Sequence, residues 1–453
     1  MDTDRESLGS YGELADRGMQ QLLEADAVRR IWERDPSLWK QDAAHQSEIA
    51  QRLGWLTVAG AMREQLTNLK HFAREAVEAG IRHVVLCGMG GSSLCPELFR
   101  LVFGSAPGHP LLWVLDTTDP VAIARVAQLA EPNDSLYLIS SKSGSTIEVD
   151  SLFRFFFQRA QERLGDRAGA AFVAVTDPGT SLERLAAERH FRGVFLNPPD
   201  IGGRYSALSL FGLVPAALIG LDLDLLLDGA ERMARACGAS VPPNDNPGLR
   251  LGAILGGAAL AGRDKLTLLT SPRLAPFGLW VEQLIAESTG KEGKGIVPIA
   301  GEPLLAPESY GDDRLFVCTR LEGDENEELD RFVTTLEGAG HPVMTMGLAD
   351  PLELGAEFFR WEFATALAGV LLGIDPFDQP NVQESKENTL RLLDIYRQSG
   401  ELPEETPDLT LGELRLYGTS EGTVERALAT FFGQARPGDY VALMAYLDAA
   451  EPV

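Results

Sequence analysis

The sequence is poor in lysine, cysteine and long apolar runs, and each shortage excludes something. Of 453 residues only seven are lysines: Lys40, Lys70, Lys142, Lys265, Lys291, Lys294 and Lys386. Lysine and arginine together number 40 against 66 acidic residues, a formal net charge of −26. A surface this acidic repels phosphate backbones and anionic lipid, which argues against nucleic acid or a membrane surface as partner. The cysteines Cys87, Cys95, Cys237 and Cys318 include no close Cys-x-x-Cys pair, so neither a disulfide framework nor a zinc site is expected. The most apolar stretches, 207–221 and 251–261, are interrupted by Ser209 and Pro215 or rich in glycine, and they fall short of the ~20 residues a membrane helix needs. The N-terminus is charged and lacks the apolar core of a signal segment. A cytoplasmic protein is expected.

Apolar residues still make up 45% of the chain, enough for more than one buried core, and at roughly 150 residues per domain the length corresponds to two or three domains. Residues 1–75 carry helical periodicity without a strand signal, with Leu22, Leu23, Ala27, Ile31 and Trp32 on one face. Short β-branched runs at 83–87, 111–116, 135–140, 171–176 and 193–196 then alternate with helical segments, and the pattern resumes at 265–270, 314–320 and 341–346. This alternation predicts an α/β fold with parallel sheets and crossover helices. The run Pro242-Pro-Asn-Asp-Asn-Pro247 marks a boundary. The expected organisation is a helical segment at 1–75, α/β domains at 76–240 and 241–400, and a β-α-β appendage at 401–453 with strands at 413–417 and 440–447.

Five segments carry chemistry. The first is Cys87-Gly88-Met89-Gly90-Gly91-Ser92-Ser93 at a strand's carboxyl end. Glycines there let a ligand approach the backbone, and the next helix N-terminus favours an anion; a nucleotide, a sugar phosphate or a merely tight turn all fit. The second, Ser140-Ser141-Lys142-Ser143-Gly144-Ser145-Thr146, gathers hydroxyls and one scarce lysine before an apolar helix, with Ser145 and Glu148 at capping-box spacing. Hydroxyls, free N–H groups and a positive dipole end make a phosphate cradle. The third, Asp200-Ile201-Gly202-Gly203-Arg204-Tyr205-Ser206, fits either a guanidinium aimed into a cleft or an ordinary surface arginine.

The fourth segment runs from Trp280 to Lys291. On a helix Trp280, Gln283, Leu284 and Glu287 fall on one stripe, so a carboxylate and an amide share a face with apolar side chains. Partial burial and the negative end of the helix dipole would both strengthen Glu287 as a proton acceptor, toward what a general base needs. A solvated Glu287–Lys291 pair at i, i+4 fits the same residues. The fifth, 376–386, opens another helix, on which Lys386 fits a proton donor or a solvated lysine flanked by Glu384 and Glu387. Lys142, Lys291, Lys294 and Lys386 all lie in or beside these segments, where a small anion would need its cations.

Taken together, the five segments, in this order over about 300 residues, resemble the phosphoglucose (glucose-6-phosphate) isomerase family, and most closely the isomerase half of transaldolase–isomerase fusion proteins. The resemblance implies two sugar-isomerase (SIS) α/β/α sandwich domains, each with a five-stranded parallel sheet, and a homodimer. It implies interconversion of glucose 6-phosphate and fructose 6-phosphate with no metal or nucleotide cofactor; a phosphoglucose/phosphomannose isomerase and a non-catalytic SIS sugar-phosphate sensor are the alternatives. By position, Ser141, Lys142, Ser143 and Thr146 would bind the phosphate, and Gly91, Ser92 and Gly203 would line the sugar site. Glu287 would move the proton between C2 and C1, Arg204 would stabilise the cis-enediolate, Gln283 would orient the substrate and Lys386 would assist ring opening or hydroxyl proton exchange. Two departures stand out. Asn381 and Gln383 replace the family's Gly and Glu, and none of the six histidines lies in the motif of the ring-opening histidine. Fusion-type relatives carry a histidine-bearing segment beyond a strand such as 440–447, so a truncated chain is one expectation.

Overall fold

The alternation of apolar runs and helices folds into two five-stranded sheets in a computed structural model that describes residues 4–436 and 438–445. The strands are β1 (Arg5–Ser7), β2 (His83–Gly88), β3 (Leu111–Leu115), β4 (Ser135–Ser140), β5 (Phe172–Thr176), β6 (Gly193–Leu196), β7 (Lys265–Thr270), β8 (Val297–Ala300), β9 (Arg314–Leu321) and β10 (Val343–Leu348). The first sheet has the order β3-β2-β4-β5-β6, and each neighbouring pair is parallel. Every residue of β4 and β5 is buried, so their sequences are apolar almost throughout rather than alternating, as a sheet covered on both faces requires.

The second sheet has the order β1-β10-β9-β7-β8 and is parallel except at one edge, where β1 runs antiparallel to β10. Neither β1 nor β8 was expected. β1 is a three-residue, largely exposed edge strand, Arg-Glu-Ser, with no apolar period to reveal it. β8 is the opposite edge and contains Pro298, which reads as a breaker but is tolerated where no second neighbour needs the N–H. The expected strand at 341–346 starts at Val343, because His341 closes the turn after the helix Glu327–Gly338, its N–H on Leu336 O at 3.0 Å.

At the N-terminus Leu22, Ala27 and Ile31 are buried as expected, whereas Leu23 is exposed. The chain breaks at Asp26, which takes a left-handed φ of 52° between the helices Gly12–Glu24 and Ala27–Trp32. The centre of the core is the helix Leu354–Leu372, buried along almost its whole length against the helix Pro247–Leu260. Gly248, Gly252 and Gly256 recur once per turn on the latter; a Cβ at Gly252 would stand 2.7 Å from Leu367 Cβ, so these helices approach more closely than side chains allow. The break at 242–247 starts that helix: Asn246 Oδ1 accepts from Leu249 N at 2.9 Å, and Pro247 takes the first helical position.

Both sheets belong to one compact unit ending at Asp378; a second begins at Gln379. The second unit holds the helix Pro380–Ser399, a hairpin of β11 (Leu409–Leu411) and β12 (Leu414–Leu416), and the helix Val424–Phe432. The appendage therefore pairs its strands before the helix rather than across it, because Gly412, at φ 61°, permits a two-residue turn. Of the strand expected at 440–447, residues 440–445 form none and 446–447 lie outside the described residues. Among the described residues no helix is long and apolar enough to cross a membrane.

Candidate active site

The first sheet's carboxyl edge brings two of the five segments side by side. β2 and β4 are neighbours with Gly88 opposite Ser140, so the loops that follow them start together. Ser140 Oγ donates to Ser92 O at 3.1 Å, tying one loop to the other. On its far side the glycine loop meets the segment before Arg204: a Cβ on Gly91 would lie 2.1 Å from Gly203 O. Only glycine fits there, and the absence of side chains lets loops 88–93 and 202–206 touch.

In the hydroxyl-rich loop Ser141 is buried, and its Oγ shares a hydrogen bond with Thr146 Oγ1 at 2.9 Å; the backbone N–H and hydroxyl of Ser145 donate to Ser143 Oγ at 3.3 and 3.1 Å. The helix Ile147–Leu164 is capped by Thr146, one residue later than expected and without a side-chain cap, so the Ser145–Glu148 capping box does not form. The physical reason is that Thr146's hydroxyl is turned to Ser141. The first-turn N–H groups, which have no intrahelical acceptors, stay available to an anion. Lys142 Nζ pairs with Asp177 and donates to Pro199 O at 3.2 Å. Burial pushes the Asp177 carboxyl up, and the Lys142 ammonium opposes that shift. Asp177 was not singled out from the sequence; the available signal was an acid directly following β5 in the same crevice.

The second half contributes the helix Ala275–Thr289. Trp280 and Leu284 are buried and Gln283 and Glu287 half-buried, as the stripe predicts. Both carboxylate oxygens of Glu287 are held: Gln283 Nε2 donates to Oε1 at 3.1 Å and Arg204 Nη1 to Oε2 at 2.9 Å. The Arg204 side chain is 2% exposed against 38% for Glu287, so the guanidinium lies beneath a carboxylate that reaches solvent. Arg204 is no ordinary surface arginine: Nη2 also donates to the carbonyls of Pro376 and Asp378, each at 3.1 Å.

Lys291 is not the solvated partner of Glu287. The helix ends at Thr289, so i, i+4 geometry is not available, and Lys291 Nζ turns inward to Asp378 and the carbonyl of Asp375. Lys294 Nζ likewise donates to Leu372 O at 2.6 Å, so neither lysine adds to the phosphate cradle as expected. Lys386 is exposed on the helix Pro380–Ser399 of the second unit, and the side chains of 380–384, including Asn381 and Gln383, lie outside the described ones. His83, His109 and His341 are tied to Trp113 Nε1, Leu218 O and Pro307 O.

Two five-stranded, largely parallel sheets covered by helices are the SIS class of phosphosugar-isomerase folds. Residues 56–297 match the phosphoglucose isomerase family. The glucose-6-phosphate isomerase of Rubrobacter xylanophilus is 30% identical over 380 residues, 72% of this chain and 86% of that relative. A hypothetical protein from Thermus thermophilus superposes with a TM-score of 0.74 at 26% identity, covering 86% of this chain and 100% of that one. A glucose-6-phosphate isomerase from Chlamydia trachomatis shares the fold, with a TM-score of 0.72 at 20% identity over 93% of this chain and 89% of its own. The chain belongs to the phosphoglucose isomerase family.

Proposed function

We propose that the chain interconverts glucose 6-phosphate and fructose 6-phosphate, with Glu287 carrying the proton between C2 and C1 through a cis-enediolate. The observation that carries this reading is the Glu287 carboxylate held between the Gln283 amide and the buried Arg204 guanidinium. A proton α to a carbonyl is too weakly acidic for a free carboxylate to remove, so the site must place the base and stabilise the charge that develops on oxygen. Gln283 fixes the base. Arg204 has a permanent charge beside it that needs no reorganisation to meet an enediolate oxygen. Ser141, Lys142, Ser143 and Thr146 hold the phosphate, and that remote binding keeps the reacting carbons near Glu287. Gly91, Ser92 and Gly203 line the sugar site through their backbone.

The ring-opening role of Lys386 and the cytoplasmic location rest on the family resemblance. The homodimer rests on it too, and exposed Leu390, Ile395, Tyr396, Phe431 and Phe432 in the second unit support an interface. A coupled assay supplying fructose 6-phosphate and detecting glucose 6-phosphate tests the reaction. Turnover by the wild type with little by Glu287→Gln is expected. A wild type that binds fructose 6-phosphate without converting it would replace the enzyme by a sensor.

A further inference from the structure

Four cations converge on the segment 372–378. Lys294 Nζ donates to Leu372 O at 2.6 Å, Lys40 Nζ to Gly373 O at 3.1 Å, and Lys291 Nζ to the carbonyls of Asp375 and Asp378 at 2.7 and 2.8 Å. Arg204 Nη2 takes the carbonyls of Pro376 and Asp378. Leu372 O is the last carbonyl of the helix Leu354–Leu372 and sits at the negative end of its dipole; the other acceptors belong to the turn that follows.

Lys291 differs from the other two lysines. An ammonium has three N–H donors, and Lys291 uses them on Asp375 O, Asp378 O and Asp378 Oδ1, with its side chain 4% exposed. No donor is left for a substrate or for Glu287. Burial pulls its pKa down while the Asp378 carboxylate holds it up. Its acceptor Asp378 O is also an acceptor of Arg204. With both Nη2 hydrogens spent on the turn and one Nη1 hydrogen on Glu287, one Nη1 hydrogen of Arg204 remains beside the carboxylate.

We propose that Lys291 is a positioning residue: by pinning the carbonyls of the 375–378 turn it fixes the acceptors on which Arg204 rests, and so sets Nη1 of the guanidinium against Glu287 with one Nη1 hydrogen free. Without the pin the turn opens, Nη2 loses its acceptors, and the guanidinium can swing to grip both oxygens of Glu287, tying up the base. Phosphate binding, on the first sheet's loops, is untouched. The proposal rests on the roles given to Arg204 and Glu287 above.

The test is a cycle of Lys291→Met, Arg204→Lys and the double variant in the full chain, with fructose 6-phosphate as substrate. Lys291→Met is expected to lower kcat about 30-fold with KM changed less than about 3-fold, and the double variant to turn over within about 3-fold of Arg204→Lys alone, because the two residues act as one unit. Multiplicative losses, a loss confined to KM, or a kcat within about 2-fold of wild type would overturn it. If Lys291→Met does not fold, Lys291→Gln, which keeps two donors, takes its place with a smaller loss and the same pattern. Hydrogen exchange reads the pin without turnover: amides of 374–379 should exchange at least about 10-fold faster in the variant, with those of 135–146 unchanged. Unchanged exchange at the turn overturns the proposal even if the wild type proves inactive, whereas an inactive wild type with a loosened turn overturns only the proposed reaction.

Discussion

The two sheets offer the same kind of crevice at their carboxyl edges and fill it with opposite chemistry. On the first, loops after β2 and β4 present glycines, hydroxyls, helix N–H groups and Lys142. On the second, a cavity of about 250 Å³ beside β7 is lined by Thr270, Glu302, Glu325 and Glu328. Glu302 is paired with Arg314 at 2.8 Å, which leaves Glu325 and Glu328 to set the sign of the field. The first edge offers hydroxyls, free N–H groups and one lysine paired with Asp177, whereas the second offers two carboxylates without a cation among its lining residues. The second half contributes to the site instead through the far end of one helix, where Glu287 stands, and through the turn that anchors Arg204. Topology thus supplies two crevices, and the side chains give them opposite character.

The largest effect that would sharpen this division concerns the base. Glu287→Gln keeps the size and the hydrogen bond from Gln283 but removes proton transfer, so kcat should fall about 10³-fold with KM for fructose 6-phosphate nearly unchanged. Retained turnover in that assay would take the chemistry away from the second half altogether. Next in size is Lys142→Met, expected to raise KM about 10- to 30-fold with a much smaller change in kcat. Calorimetry with inorganic phosphate extends the same test: one site per chain in the wild type, lost in Lys142→Met. A second site surviving the substitution would mean that the acidic edge also takes an anion and would break the comparison.

The contrast between edges was only partly legible beforehand. Strand 135–140 could be read to the residue because full burial makes its run apolar, whereas β1 and β8 are edges whose pairing does not depend on an apolar face. The stripe Trp280–Gln283–Leu284–Glu287 follows from helical period alone. The contact with Arg204 does not, because it joins residues 83 apart in sequence through the packing of two halves. Lys291 shows the limit most clearly. Its spacing from Glu287 matches a helical ion pair, but the helix stops two residues before it, and what draws it inward is a set of carbonyls from a third, distant segment. Scarce cations were expected to mark the phosphate; of Lys142, Lys291 and Lys294, only Lys142 lies among the hydroxyls.

The smallest expected effect bears on the one structural feature the first sheet lacks, its partner's antiparallel edge. Asp4, next to β1, accepts from Arg360 Nη1 at 2.7 Å, and Arg360 Nη2 also meets Glu357 at 3.1 Å, both Arg360 and Glu357 being buried in the helix Leu354–Leu372. Burial pushes the Glu357 carboxyl up to about 7 from its ordinary 4.5; Arg360 opposes the shift, and Asp4 and Glu353 add to it. The folded state therefore holds this proton more tightly than the unfolded chain does. The contribution of Glu357 to stability is fully present below about 4.5 and is lost as pH rises through about 7. Glu357→Gln keeps an acceptor for Arg360 and removes the ionisation, so it should melt about 1–2 °C above wild type at pH 8, with the gap closing toward pH 5. The Asp4–Arg360 contact makes the edge the place to look: amide exchange in 5–7 should quicken between pH 5 and 8, after correction for intrinsic rates, in the wild type more than in the variant. Equal pH dependence in both would show that β1 is held by its ladder to β10 alone.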